Sequence, residues 1–276
     1  MRNKRYLLTI IIFLLVIPAC SISFGNTEFG EADTHESLPA ESDSGPDAQV
    51  EEESMQDEPD VSYNGINLSS EIGDSLNGST VPGDPAGEPF WSMPEHDEIA
   101  IRGYPIGNDY HEPVVYVFSA ENYRTQNEAA ASVMDELAGL LASRPADPAV
   151  PLPLLPIFNA GQMGTAKMKF IDFNNGSGVR YITQLGQALW PFNNSGMFYT
   201  FQGMTTDGRF FVSMIMPLSL PALAQYDDFQ PEDDFYETAE QLIDNQIVIL
   251  ENASEDQFTP TLNDLDAMAG SLSIEK

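Results

Sequence analysis

Two histidines, His96 and His111, are the residues whose type best suits chemistry in the folded part of this chain. Each stands beside carboxylates, in Glu95-His96-Asp97 and in His111-Glu112. An imidazole next to a carboxylate serves metal ligation and proton transfer alike. The set is thin for either. Zinc takes three or four nitrogen or sulfur ligands, and the chain's one cysteine is Cys20, far from both histidines in sequence. A Ser-His-Asp triad is assembled in space and leaves no spacing to read. The Gly-x-Ser-x-Gly elbow, the phosphate loop and the dinucleotide fingerprint are all absent. The stretch Asp172 to Gly178 starts like a calcium loop but puts Gly176 where the fifth ligand belongs and has no glutamate near Leu185, so a hairpin turn explains it better. Trp91 and Trp190 offer rings on which a sugar can stack, and serve equally well as core. The sequence thus yields no catalytic residue and no cofactor. Its metal candidates stop at His96 and His111, whose plain reading is two exposed imidazoles on loops leading into strands.

Cys20 carries a different chemistry. Arg2, Lys4 and Arg5 form a basic start with no acidic residue, and Tyr6 to Ile17 is an apolar run. The run is shorter than the roughly 20 residues a membrane-spanning helix needs, and suits an export signal. The next residues, Ile17-Pro18-Ala19-Cys20, resemble the bacterial lipoprotein lipobox: an aliphatic residue, a variable one, a small one, then cysteine. That resemblance implies cleavage before Cys20 and lipidation of its sulfur and new amino group, hence a membrane partner reached through a lipid anchor on the extracytoplasmic face. Several acyl chains anchor stably where one does not. A plain signal peptide with an incidental cysteine is the competing reading.

Charge narrows the partners. The chain has 276 residues, 43 acidic and 11 basic, for a formal charge of -32. A field of that sign repels phosphate backbones, so no nucleic-acid partner is expected. Residues 26 to 62 hold 13 carboxylates and no Lys or Arg. Such a segment buries too little apolar surface to offset its ordering entropy. About 40 residues of flexible chain span roughly 35 Å, more under self-repulsion. The expected organisation is a signal over 1–19, a lipid-anchored, disordered acidic linker over 20–60, and one domain over 61–276.

Within that domain, Lys167 to Leu218 sets the architecture. Four apolar, β-branched and aromatic runs (MKFIDF, VRYITQL, MFYTFQGM, RFFVSMIMPL) alternate with turn signals, which predicts an antiparallel meander. Asn175-Gly176 and Asp207-Gly208 are expected to turn with positive φ at both central residues. Neither face of these strands is wholly polar, so helices are expected on both. Upstream, strands are expected at Tyr63–Leu68, Glu98–Tyr104 and Pro113–Ala120, with a long loop over Ser69–Pro89. Thr125-x-x-Glu128 reads as a capping box opening a helix that Arg144-Pro145 ends. The proline-rich run Ala146–Phe158 is expected to pack across the end of the sheet or wall a groove. Downstream, Pro231 suits a first helical turn and Thr259-Pro260 the opening of a last helix.

The motifs Pro153-Leu154-Leu155-Pro156, Asn159-Ala160-Gly161-Gln162, Asp172 to Gln184 and Phe198 to Gly208 resemble a family of uncharacterised exported bacterial lipoproteins, a resemblance that implies no catalytic residue. An antiparallel sheet followed by a helix ending Ala267-Met268-Ala269-Gly270-Ser271-Leu272 is similar to the Mog1/PsbP-like α/β/α sandwich. That similarity implies a binding or assembly role. The expected fold is α+β, one antiparallel sheet of about six or seven strands with helices packed against it. The expected function is that of a non-enzymatic, membrane-tethered lipoprotein of the cell envelope that binds a protein or small-molecule ligand. The alternative is an extracytoplasmic hydrolase or metal-dependent enzyme using His96 and His111.

Overall fold

In the computed structural model, residues 61–85, 90–232 and 234–276 are described. The expected export signal, Cys20 and the expected acidic linker lie outside them. The order is β1 (Val61–Tyr63), β2 (Ile66–Leu68), β3 (Ser75–Val81), β4 (His96–Arg102), β5 (Val114–Ser119), α1 (Ala120–Gln126), α2 (Glu128–Ser143), β6 (Gly161–Gln162), β7 (Ala166–Phe173), β8 (Gly176–Gly186), β9 (Met197–Thr205), β10 (Phe210–Pro217), α3 (Phe235–Asn252), α4 (Leu262–Ser271) and β11 (Ser273–Ile274). Among the described residues no helix is long and apolar enough to cross a membrane.

The four sequence runs form β7 to β10, each antiparallel to the next. β10 also pairs with β5, and the sheet continues through β4 to β3. β6 and β7 share the far edge, both against β8. This eight-stranded antiparallel sheet is one or two strands wider than the sequence suggests. Strand alternation sends Val115, Val117, Val212, Met214, Tyr199 and Phe201 to one face, under α3, α4 and a small sheet of order β1-β2-β11. The opposite face presents Phe118, Phe211 and Val179 to α1 and α2. Ala130, Met134 and Leu137 form the buried stripe of α2, spaced four and three apart as a helix face requires. The fold is α+β, with helices on both faces of the sheet.

Several local expectations are corrected. The turn between β7 and β8 is Asn174-Asn175, and neither these residues nor Gly176 has positive φ. Gly176 is needed for space: a Cβ there would stand 2.1 Å from the Phe173 ring and 2.4 Å from the Met204 carbonyl oxygen. At the next turn only Gly208 is left-handed (φ 71°). Tyr63–Leu68 is not one strand but a hairpin, β1 and β2, turning at Asn64-Gly65 with φ of 49° and 75°. The long loop contains β3. Asn127, not Thr125, caps α2, its side chain accepting from the Ala130 N–H at 3.1 Å; Thr125 lies in α1 and donates to the Glu121 carbonyl. Thr261 caps α4, one residue beyond Pro260. Pro231 precedes α3 by four residues. The proline-rich run lies on the face of the sheet beside α2, with Leu152 and Leu155 buried, because sheet side chains hold its backbone there.

Candidate functional site

Polar groups converge where β4 begins. Asp97 is buried, and three donors reach its carboxylate: Asn64 Nδ2 from the β1–β2 turn at 3.0 Å, Thr80 Oγ1 from β3 at 2.5 Å, and Lys276 Nζ. Burial alone would raise the pKa of this carboxyl. The Lys276 ammonium and the hydrogen bonds outweigh it and hold the group below its ordinary value. A small cleft of about 130 Å³ lies against it, bordered by Glu95, His96, Ser119 and Asn122. That is room for about four waters, well under the roughly 300 Å³ at which small-molecule pockets begin. A carboxylate so satisfied is a poor proton acceptor near neutral pH, since a general base works best with its pKa near the working pH. The arrangement fastens the β1–β2 turn and Lys276 to the main sheet.

His96 belongs to the same corner but points to the other face. It is the first residue of β4, 4 % exposed, with its ring 4.8 Å from that of Phe118 and 5.8 Å from that of Tyr116. Nδ1 lies 2.8 Å from the Pro94 carbonyl oxygen, which can only accept, so Nδ1 carries a proton. Nε2 lies 3.2 Å from Glu98 Oε1. His111 sits before β5, half-buried, with its ring edge-on to Phe158 at 5.5 Å and Phe198 at 4.5 Å. Burial pushes its pKa down to about 4. Both histidines are therefore packed, contrary to the expectation of exposed rings. The structure does not bring them together. His96 lies opposite Phe118 and His111 precedes Val114, so the strand from Val114 to Phe118 alone holds them about 13 Å apart. Two nitrogens on one zinc ion lie within about 4 Å of each other, each bonded at about 2 Å. Among the described residues, no three His, Cys, Asp or Glu side chains are grouped to hold a metal.

Other polar groups of the interior escaped the sequence reading. Arg180, in β8, is 2 % exposed. Its guanidinium donates to the Lys167 carbonyl and to Glu255 at 3.0 Å, and its Nε lies 3.1 Å from Asp266. Asp266 also receives Lys169 Nζ at 2.8 Å and the Tyr199 hydroxyl at 3.3 Å. This network ties α4 and the short 3-10 turn Glu255–Gln257 to the sheet. Its one signal in the sequence was a lone charge inside the apolar run VRYITQL. Three buried glutamines do a related job. Gln202 accepts from the Leu155 N–H at 2.9 Å and donates to the Leu155 carbonyl at 3.2 Å. Gln246 does the same for Phe192, at 2.8 and 2.9 Å. Gln184 accepts from Asn193 N–H and donates to the Pro191 carbonyl. Each side-chain amide stands in for the neighbouring strand that a buried loop segment lacks.

The two tryptophans do not make one platform. Trp91, 41 % exposed, is edge-on to Phe90, whose carbonyl accepts from Asn127 beside α2. Trp190 packs edge-on to Phe229 and to Phe235 of α3, on the opposite face of the sheet. A separate apolar cleft of about 450 Å³ runs along α3, lined by Leu220, Pro221, Val248, Ile249 and Ala253. Comparison of the chain with family models, curated proteins and solved structures returned no match.

Proposed function

We propose that the chain is a membrane-tethered extracytoplasmic lipoprotein whose α+β domain is a binding or assembly module of the cell envelope. The observation that carries the tether is the series Arg2, Lys4, Arg5, an apolar run, then Ile17-Pro18-Ala19-Cys20, with Cys20 the single cysteine of the chain. The resemblance of this series to a lipobox, and of Pro153 to Gly208 to exported lipoproteins, supports the reading. The binding role is supported by how the ionisable interior is spent. Asp97, Arg180 and Asp266 are engaged by structural partners, and His96 and His111 stand too far apart to share an ion. The hydrolase or metal-enzyme alternative needs those two rings in one pocket. The apolar cleft along α3 adds a surface able to take a ligand. The acidic composition of 20–60 suits a spacer between anchor and domain.

The test is Cys20→Ala, followed by cell fractionation and labelling with a palmitate analogue. The substituted chain should lose the label and either leave the membrane fraction or keep its apolar segment uncleaved. A variant processed, labelled and fractionated like the parent would end the proposal.

A further inference from the structure

The two edges of the large sheet are not treated alike. An unpaired edge exposes a row of N–H and C=O groups to which another chain can add, and proteins guard such edges with charge, proline, bulges or covering elements. The β7 edge is guarded in several of these ways. Its register shifts between Ala166 and Lys169, and Lys167 takes a φ of 55°. The Lys167 N–H is held by Glu251 of α3 at 2.7 Å. Lys169 pairs with Asp266 of α4, and Asp172 with Arg144.

Among the described residues, the β3 edge has none of these guards. Ser75–Val81 contains no charged residue and no proline, and it runs seven residues against β4 without a break in register. The Ile101 N–H of β4 donates to the Pro113 carbonyl on the β5 side. Because backbone groups alternate sides along a strand, Glu98 and Ala100 face β3 and bond to their partners Ser79 and Asn77. The N–H and C=O groups of Leu76, Gly78 and Thr80 then face outward. Among the described residues, no hydrogen bond reaches these six groups. The inner face of the strand is covered: the Tyr63 ring lies so close over Gly78 that a Cβ would stand 2.1 Å from Cγ of the ring, and the Tyr63 hydroxyl bonds Thr80. Ser75, Asn77 and Ser79 on the outer face are exposed. The strand is thus held firmly on one face, while no other described strand pairs with its edge.

We propose that the outer edge of β3 is a strand-addition site for an extended, basic segment of a partner protein. The proposal rests on the binding-module reading and names its partner class. Main-chain hydrogen bonds supply affinity in this mode of recognition, and flanking side chains supply selection. The flanks here are acidic: exposed Asp74 precedes β3 and exposed Asp84 follows it, on a chain with 43 acidic and 11 basic residues. Lysine or arginine at the ends of the incoming strand would meet complementary charge. A second copy of this chain is the poorer occupant. Antiparallel pairing about Gly78 would bring each Asp74 near the other copy's Asp84, between two bodies of formal charge -32.

The experiment uses the full chain in detergent and a synthetic peptide of alternating Val and Thr with lysines at both ends. On adding the peptide, the Leu76, Gly78 and Thr80 amides should exchange at least about tenfold more slowly, as newly bonded amides do. The same peptide N-methylated at alternate residues should not bind, and a glutamate-flanked version should bind at least about tenfold more weakly. The double variant Asn77→Lys, Ser79→Lys changes only exposed side chains. It should keep its melting temperature and lose the lysine-flanked peptide. Unchanged exchange at saturating peptide, or equal binding of the N-methylated peptide, would overturn the proposal. So would slow exchange of the three amides before any peptide is added, since the edge would then already be covered by this chain or by a second copy. None of these results bears on Cys20, so failure here and failure of the lipid anchor are read separately.

Discussion

The environment of His111 predicts a pH response that can be followed at one ring. Packing against Phe158 and Phe198 disfavours the charged imidazole and pushes its pKa down to about 4. The unfolded chain takes up that proton near pH 6.5. As pH falls from about 6.5 to about 4 the unfolded state therefore binds more protons than the folded one, and stability falls. Above about 6.5 both states are neutral here and the contribution is complete. Titration of the ring by NMR should show a midpoint near 4. The His111→Gln variant should lose less melting temperature than the parent between pH 6.5 and pH 4.5. A midpoint near 6.5 would mean a solvated ring. The sequence placed His96 and His111 correctly near strand starts but judged both exposed. Burial of a histidine depends on what other segments lay over it, here Phe158 from the proline-rich run and Phe198 from β9, and nothing within three residues of His111 announces either.

At the scale of elements, what the sequence showed and what it hid divide along a physical line. β7 to β10, α2, α3 and α4 were legible because apolar residues recur at the period of each element. β3 was not, because Ser-Leu-Asn-Gly-Ser-Thr-Val is an edge strand exposed on one face and offers one buried-side leucine where a pattern needs several. The β1–β2 hairpin had its Asn-Gly signal, but three-residue strands are too short to show alternation. The glutamine clamps were hidden for another reason: a buried glutamine has the same letter as an exposed one. Their energetic weight is testable at Gln246, which satisfies both backbone groups of Phe192 in the interior. Gln246→Leu leaves a buried N–H and a buried C=O unpaired, at about 1–3 kcal/mol each, so a loss of roughly 2–6 kcal/mol is expected in urea denaturation. The control is Gln241→Leu on the exposed side of the same helix, expected within about 0.5 kcal/mol of the parent. Equal stability of the two variants would show that the clamp carries no weight.

At the scale of the whole molecule, two electrostatic effects oppose each other, and their sizes decide the response to salt. Ion pairs favour the folded state and weaken when screened. Arg124, Arg144, Lys169, Arg180, Arg209 and Lys276 sit in such pairs. Those of Arg124, Arg144 and Arg209 are surface pairs, worth about 0–1 kcal/mol each, while the Arg180 network and the Lys276–Asp97 pair are buried and little screened. Against them stands an excess of carboxylates over 61–276, 30 to 8 basic residues, so most of them cannot be matched by a cation. Folding concentrates that charge, and self-repulsion destabilises a compact state. The Debye length falls from about 30 Å at 0.01 M salt to about 8 Å at 0.15 M, which removes the long-range repulsion but leaves close pairs largely intact. Stability should therefore rise with salt. The melting temperature of the full chain should increase by about 2 °C or more between those two concentrations of NaCl, which for a domain of this size corresponds to roughly 0.5–1 kcal/mol. Matching the ionic strength with MgCl₂ in place of NaCl should give a similar rise, because the effect is general screening. A fall in melting temperature with NaCl would mean that the ion pairs outweigh the repulsion. A much larger rise at low concentrations of a divalent cation would mean that some of the carboxylates form a specific site, because binding to the folded state alone adds stability by mass action.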